Sequence, residues 1–180
     1  MKTKQKKIQW IAASIENKQD VVKILKYLDK IFNILPDGWD VPKFPNGDFD
    51  LHMTIRCCKE LSFHSKKTLI NKKVVLDIDA IGANDKAIAF KEVGNVYSDN
   101  DVKHITIAFN RKNGGLPVDS NDIQHWIKIK PFSIKAVIRQ FDYQNNKVYD
   151  IDLNERGSAI NTGNFPEKGK SAGGFSKFPY

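Results

Sequence analysis

Apolar positions along the chain switch between two periods. Residues 8–15, IQWIAASI, form a nearly continuous apolar run and predict a buried strand. In the stretch that follows, Val21, Ile24, Leu25, Leu28, Ile31, Phe32 and Leu35 recur at helical spacing. They predict an amphipathic helix with one face for a sheet, ended by Pro36 and Gly38. Residues 36–50, PDGWDVPKFPNGDFD, contain three prolines and two glycines and read as an irregular loop. LHMTIRCC then predicts a short strand. ELSFHSKKTLINKK has a mixed pattern that fits helix or loop. KVVLDIDAIGA, KAIAFKEV and VKHITIAFN each predict a strand, the first two joined by a turn at Asn84 and Asp85. RKNGGLPVDSND predicts a loop, with Ser120 or Asn121 capping a short helix through DIQHWIKI. FSIKAVIRQFDY and KVYDIDL flank QNN and predict a hairpin.

The order of strand, helix, several strands, a short helix and further strands, without βαβ alternation, predicts an α+β fold with antiparallel sheets. The expected divisions are a basic segment at 1–7, one domain at 8–153 and a tail at 154–180. The tail region carries five of the eleven glycines and little apolar periodicity, so it is expected to be flexible or extended.

Composition narrows the function classes. The chain has 180 residues, 41% hydrophobic and 28% charged, as expected for a globular domain. No apolar run approaches the roughly 18 residues that cross a bilayer, and no apolar stretch of a signal peptide follows the basic start. The two cysteines, Cys57 and Cys58, are adjacent and suggest no disulfide framework. A cytoplasmic protein without a membrane partner is the expectation. The net charge of +8 favours polyanionic partners, nucleic acid or nucleotides among them.

Candidate chemistry lies in a repeated pattern. Only four histidines occur, and two of them stand in histidine–apolar–threonine–apolar settings, HMTI at 52–55 and HITI at 104–107. In a strand, alternate side chains share a face. His52 and Thr54 therefore point one way while Met53 and Ile55 anchor the strand, and His104 with Thr106 repeats the arrangement. Two imidazoles and two hydroxyls facing one cleft suit phosphodiester chemistry. One neutral ring takes a proton from the attacking oxygen, and one protonated ring gives a proton to the leaving oxygen. The threonines donate to phosphate oxygens where charge builds. Neither a metal nor another cofactor is required by this scheme. No metal-ligand spacing and no phosphate-cradling glycine loop with a following lysine occurs.

HMTI and HITI resemble the paired motifs of the 2H phosphoesterase superfamily, the LigT-like cyclic phosphodiesterases. The resemblance spans roughly residues 8–153. It implies a two-lobed α+β domain, with antiparallel sheets, helices on the outside and a central cleft to which each lobe presents one motif strand. It implies His52 and His104 as catalytic residues and Thr54 and Thr106 as phosphate-binding ones. It also implies metal-free action on 2′,3′-cyclic phosphates, 2′–5′ linkages or cyclic oligonucleotide messengers.

Around this core, Arg56 shares the parity of His52 and is a candidate phosphate ligand. Asp50 shares it too and is a candidate to orient His52, unless it lies ahead of the strand. Lys103 falls on the opposite face. Trp39 and Phe44 in the loop before the first motif, and Tyr97 before the second, are candidates for stacking on a base. His64 and His125 lack a threonine partner and read as structural or surface residues. Trp126 reads as core.

The expected function is a metal-independent phosphodiesterase, monomeric and without an obligate protein partner, acting on RNA or a cyclic or 2′–5′ oligonucleotide. RNA processing and viral or phage destruction of an oligonucleotide alarm signal both fit that chemistry. The rival expectation is a nucleic-acid-binding module without turnover.

Overall fold

The computed structural model describes residues 8–44, 47–57, 68–144, 147–151 and 159–164. The strands are β1 (Ile8–Ser14), β2 (Trp39–Asp40), β3 (His52–Cys57), β4 (Lys73–Ala83), β5 (Ala87–Glu92), β6 (His104–Asn110), β7 (Trp126–Gln144), β8 (Lys147–Ile151) and β9 (Ala159–Asn164). Helix α1 is Lys18–Phe32, and 3-10 turns occupy Arg111–Asn113 and Pro117–Asp122.

Local sequence accounts for α1. Asn17 caps it, accepting the Gln19 amide at 2.8 Å. Asn33 ends it at φ +60, with its own amide on the Asp29 carbonyl. The helix thus stops four residues before Pro36. Ile24 and Leu28 form its buried stripe.

The strands close into a ring. β1 pairs with β3 on one side and with β7 on the other, and the circuit β1-β3-β6-β5-β4-β7 returns to β1 through antiparallel pairs. The fold is therefore a closed six-stranded antiparallel barrel, and the expected two-lobed α+β architecture is incorrect. The physical reason lies in β7. At 19 residues it is too long to stay straight on one partner. Its first part pairs with β4 from Gly82 to Lys73, and its last part pairs with β1, Val137 opposite Ser14 through Tyr143 opposite Ile8. Between Lys128, opposite Ala80, and Phe132, opposite Ile78, the register shifts, and Ile129, Lys130 and Pro131 stand against Asp79 alone. That bulge bends the strand and lets one sheet close where two were expected.

Inward-facing residues from all six strands make one core, including Ile11, Met53, Leu76, Phe90, Ile105 and Ile134. Ile24 and Leu28 of α1 join the same cluster, so the helix packs into this core. Each fully buried aliphatic side chain of this kind is worth roughly 1.5–3 kcal/mol as an upper estimate.

Other expectations change as well. The short helix through DIQHWIKI is absent, and β7 begins at Trp126, which is half-buried. Within the segment expected as a tail, β9 pairs with β8. A brief helical turn occurs at Thr68 and Leu69. His64, the 1–7 segment and the last residues, 165–180, lie outside the described residues. Cys57 is disulfide-bonded. No helix among the described residues is long and apolar enough to cross a membrane.

Candidate active site

The two motif strands are direct neighbours, which corrects the picture of two strands facing each other across a cleft between lobes. β3 and β6 run antiparallel, with Met53 opposite Ile105. Equal steps in opposite directions then set His52 against Thr106 and Thr54 against His104. Met53, Ile55, Ile105 and Ile107 point into the barrel and are buried. The two histidines and two threonines consequently share the outer face as a diagonal quartet. Directly opposed residues in antiparallel strands have Cβ atoms about 4.5–5.5 Å apart. Flanking strands extend the two rows. Ser14 and Ala12 of β1 stand beside His52 and Thr54, and Ala89 and Lys91 of β5 stand beside Thr106 and His104.

His52 is fixed on two sides. Its Nδ1 lies 2.6 Å from Asp50 Oδ1, and both side chains are one-fifth exposed. The carboxylate accepts the Nδ1 proton, which leaves Nε2 as the working nitrogen. The Trp10 ring stands 4.6 Å from the imidazole, tilted by 54°. Trp10 in turn stacks on Phe141 at 4.4 Å, and Phe44 packs on Phe141 at 5.9 Å.

His104 is held differently. It is 7% exposed. Its Nδ1 is 2.7 Å from the Val102 carbonyl, and its Nε2 is 2.9 Å from Ser120 Oγ. A carbonyl only accepts, so Nδ1 carries the proton and Nε2 of the neutral ring receives one from Ser120. Thr106 Oγ1 lies 2.7 Å from the same Ser120 oxygen and 3.0 Å from the Pro117 carbonyl. Burial pushes the His104 pKa below the ordinary imidazole value. The bond to Val102 opposes that shift, and the nearby charge of His52 adds to it.

A wall beside the quartet comes from residues 93–103. Ser98 Oγ donates to the Thr54 carbonyl at 2.6 Å, and the Asp99 amide to the Ile55 carbonyl at 2.8 Å. Arg56 Nε pairs with Asp99 Oδ2 at 3.1 Å, and the Tyr97 hydroxyl donates to the other Asp99 oxygen. Hydrogen bonding with Tyr97 and the charge of Asp99 hold the Arg56 pKa above its usual value. Arg56 thus stands at the site with its charge already countered.

Among the stacking candidates, Tyr97 is 62% exposed beside Arg56. Phe44 belongs to the aromatic cluster behind His52. Trp39 is elsewhere. It pairs with Asn110, six residues along β6 from His104 and so about 20 Å away, and it packs against the core. Lys103 is on the opposite face, as expected, with Nζ 2.8 Å from the buried Glu92 carboxylate. His125 is exposed. Among the described residues no cluster of three His, Cys, Asp or Glu side chains could hold a metal ion.

Sequence reasoning missed Ser120, Trp10 and Lys91. Lys91 had a usable signal, since strand parity beside a histidine-bearing strand brings it to the face. Ser120 had none, because a turn 14 residues downstream reaches Thr106 only through the tertiary fold.

No protein-family model, no curated protein and no solved structure matches this chain.

Proposed function

We propose that the protein is a metal-independent phosphodiesterase that uses His104 as general base and His52 as general acid. The observation that carries this reading is the register of β3 and β6, which gathers all four motif side chains on one face. The two-lobed architecture that went with the family resemblance is absent, so the reading rests on these side chains alone.

The two rings have unlike surroundings, and these support the division of roles. His104 is buried, tautomerically fixed by Val102 and shifted toward its neutral form. That is the state a base needs. His52 sits against the Asp50 carboxylate, which can counter the charge of a protonated ring. Water, or a ribose hydroxyl, gives its proton to His104 Nε2 as its oxygen bonds to phosphorus. The bond from phosphorus to the ribose oxygen breaks, and that oxygen takes the proton of His52 Nε2. With water and a 2′,3′-cyclic phosphate the product is a monoester. With a ribose hydroxyl and a 3′–5′ or 2′–5′ linkage the product is a cyclic end. Thr54 and Thr106 donate to the non-bridging oxygens, and Lys91 adds positive charge beside His104. The substrate class is a nucleotide or short RNA, including cyclic and 2′–5′ oligonucleotides.

Ser120 favours a second reading, a nucleotide-binding module without turnover. Its hydroxyl occupies the His104 Nε2 and Thr106 positions and is 1% exposed. In the enzyme reading the incoming oxygen displaces it, and Pro117 O, already 2.7 Å from Ser120 Oγ, keeps it hydrogen-bonded.

The experiment is turnover in EDTA of 2′,3′-cyclic mononucleotides, 2′–5′ oligoadenylate and cyclic dinucleotides. Wild type is compared with His52→Ala and His104→Ala. Hydrolysis of one class is expected, with each variant down by roughly 10²–10⁴. The pH profile should be bell-shaped, its acid limb below pH about 6.5 because the base titrates low. In His104→Ala that limb should vanish; loss of the alkaline limb would reverse the two roles. Silence across the panel with intact nucleotide affinity would favour the binding module.

A further inference from the structure

Away from the histidines, α1 and the bulge of β7 enclose a groove of about 450 Å³. Its floor is aromatic. Tyr27 and Phe132 stack at 6.0 Å with 29° between their planes. Its rim is cationic, formed by Lys23, Lys30 and Lys130, and no carboxylate lines it.

The local sequence builds this groove. Lys23, Tyr27 and Lys30 are spaced i, i+4 and i+7 and share one face of α1, while Ile24 and Leu28 turn into the core. Across from them the register shift in β7 pushes out Ile129, Lys130 and Pro131, and Pro131 has no amide to offer a neighbouring strand. Lys23 Nζ sits 4.8 Å from the centre of the Phe132 ring and 3.3 Å from the Ser133 carbonyl. The Lys30 and Lys130 ammonium groups have no ion-pair partner among the described residues, and both side chains are exposed.

We propose that this groove is a second binding site, separate from the histidine face, that holds a nucleotide of single-stranded RNA. Planar bases stack on aromatic rings, and phosphates pair with lysines set around them. Lys23 covers Phe132 in the free protein. A base replacing it on the ring would release its ammonium to the phosphate. An acidic peptide would match the charge and leave the stacked rings unused, so RNA is the better fit.

The test is fluorescence anisotropy of a labelled oligouridylate across a salt series. Wild type is compared with Lys23→Ala/Lys30→Ala/Lys130→Ala and with His52→Ala/His104→Ala. The lysine variant should bind at least tenfold more weakly at low salt. Its slope of log affinity against log salt should be shallower by about 2, near 0.7 for each phosphate that the lysines no longer neutralise. The histidine variant should bind as wild type does, and turnover of a cyclic mononucleotide by the lysine variant should be unchanged. Inorganic polyphosphate of matched charge should compete poorly. Unchanged affinity in the lysine variant, loss confined to the histidine variant, no RNA binding by wild type, or equal displacement by polyphosphate would each overturn the proposal. Because catalysis is read on a mononucleotide and binding on an oligomer, failure of this site is distinguishable from failure of the phosphodiesterase reading.

Discussion

At the scale of single residues, His104 links the site to stability. Its folded pKa lies below the ordinary 6.5, chiefly because it is buried. Between the folded value and about 6.5 the unfolded chain binds more protons than the folded one. Unfolding free energy therefore rises with pH through that window and levels off above it. The gain is at most about 1.4 kcal/mol per pH unit. Carboxylates titrate lower down, so the useful quantity is wild type minus His104→Gln, from urea melts between about pH 4 and 8. That difference should fall as the pH drops below about 6.5; a flat difference would contradict a histidine buried as the neutral ring. The four motif residues were legible in the sequence because strand parity fixes their face, whereas Asp50 lies ahead of β3 and reaches His52 from outside the strand. Trp10 was not legible. In IQWIAASI, apart from Gln9, both faces are apolar or small, so alternation does not reveal that Trp10 turns outward onto His52 while Ile11 turns inward.

Among elements, the segment from Glu92 to Lys103 carries the most consequence for the site. Glu92 is fully buried, its Oε1 accepting the Gly94 amide at 2.7 Å. Lys103 Nζ directs its hydrogen bonds to the Gly94 and Val96 carbonyls and meets Glu92 Oε2 as an ionic neighbour. The pair anchors a segment whose Ser98 and Asp99 bond to β3 beside Thr54. Lys103→Met would leave a buried carboxylate without its counter-charge, which costs about 3–5 kcal/mol. Adding Glu92→Gln should recover at least half of that loss, since the uncompensated charge goes with it. Urea unfolding of both variants measures this; a double variant as unstable as the single one would mean that the lysine acts by packing instead. Most of the elements themselves were legible. Apolar periodicity marked α1, β1, β3 to β6, the later part of β7 and β8, and chain order marked the β7–β8 hairpin, whereas β2 lies in the stretch read as an irregular loop. DIQHWIKI misled because Ile123, Trp126, Ile127 and Ile129 fit helix or strand equally. Tertiary contact decides it: a Cβ on Gly82 would come within 2.6 Å of Ile123 and 2.8 Å of Trp126, so this stretch lies flat on β4.

The closure of the whole molecule left no local trace in the sequence. Nothing near Ser14 announces Val137 as its partner, and no short-range pattern tells a closed ring from two separate sheets. What decides the matter is the length of β7 and its bulge, which carry its last residues around to β1. Closure has a measurable consequence. In a ring every strand has a neighbour on both sides, so no barrel strand is an edge that frays alone. Amides of β1 and of the last part of β7 should therefore exchange only through global unfolding, with the same free energy as Ile105 to Ile107 of β6. Ala12, Ala13 and Ile138 are the useful probes, since β1 bonds there to β3 and β7 at once. Nitrogen-resolved hydrogen exchange across a series of low urea concentrations separates local from global opening. If the β1–β7 seam opened several kcal/mol more easily than β6, the barrel would be an open sheet in solution. The quartet of His52, Thr54, His104 and Thr106, which is set by β3 against β6, would survive that result, and the closed fold would not.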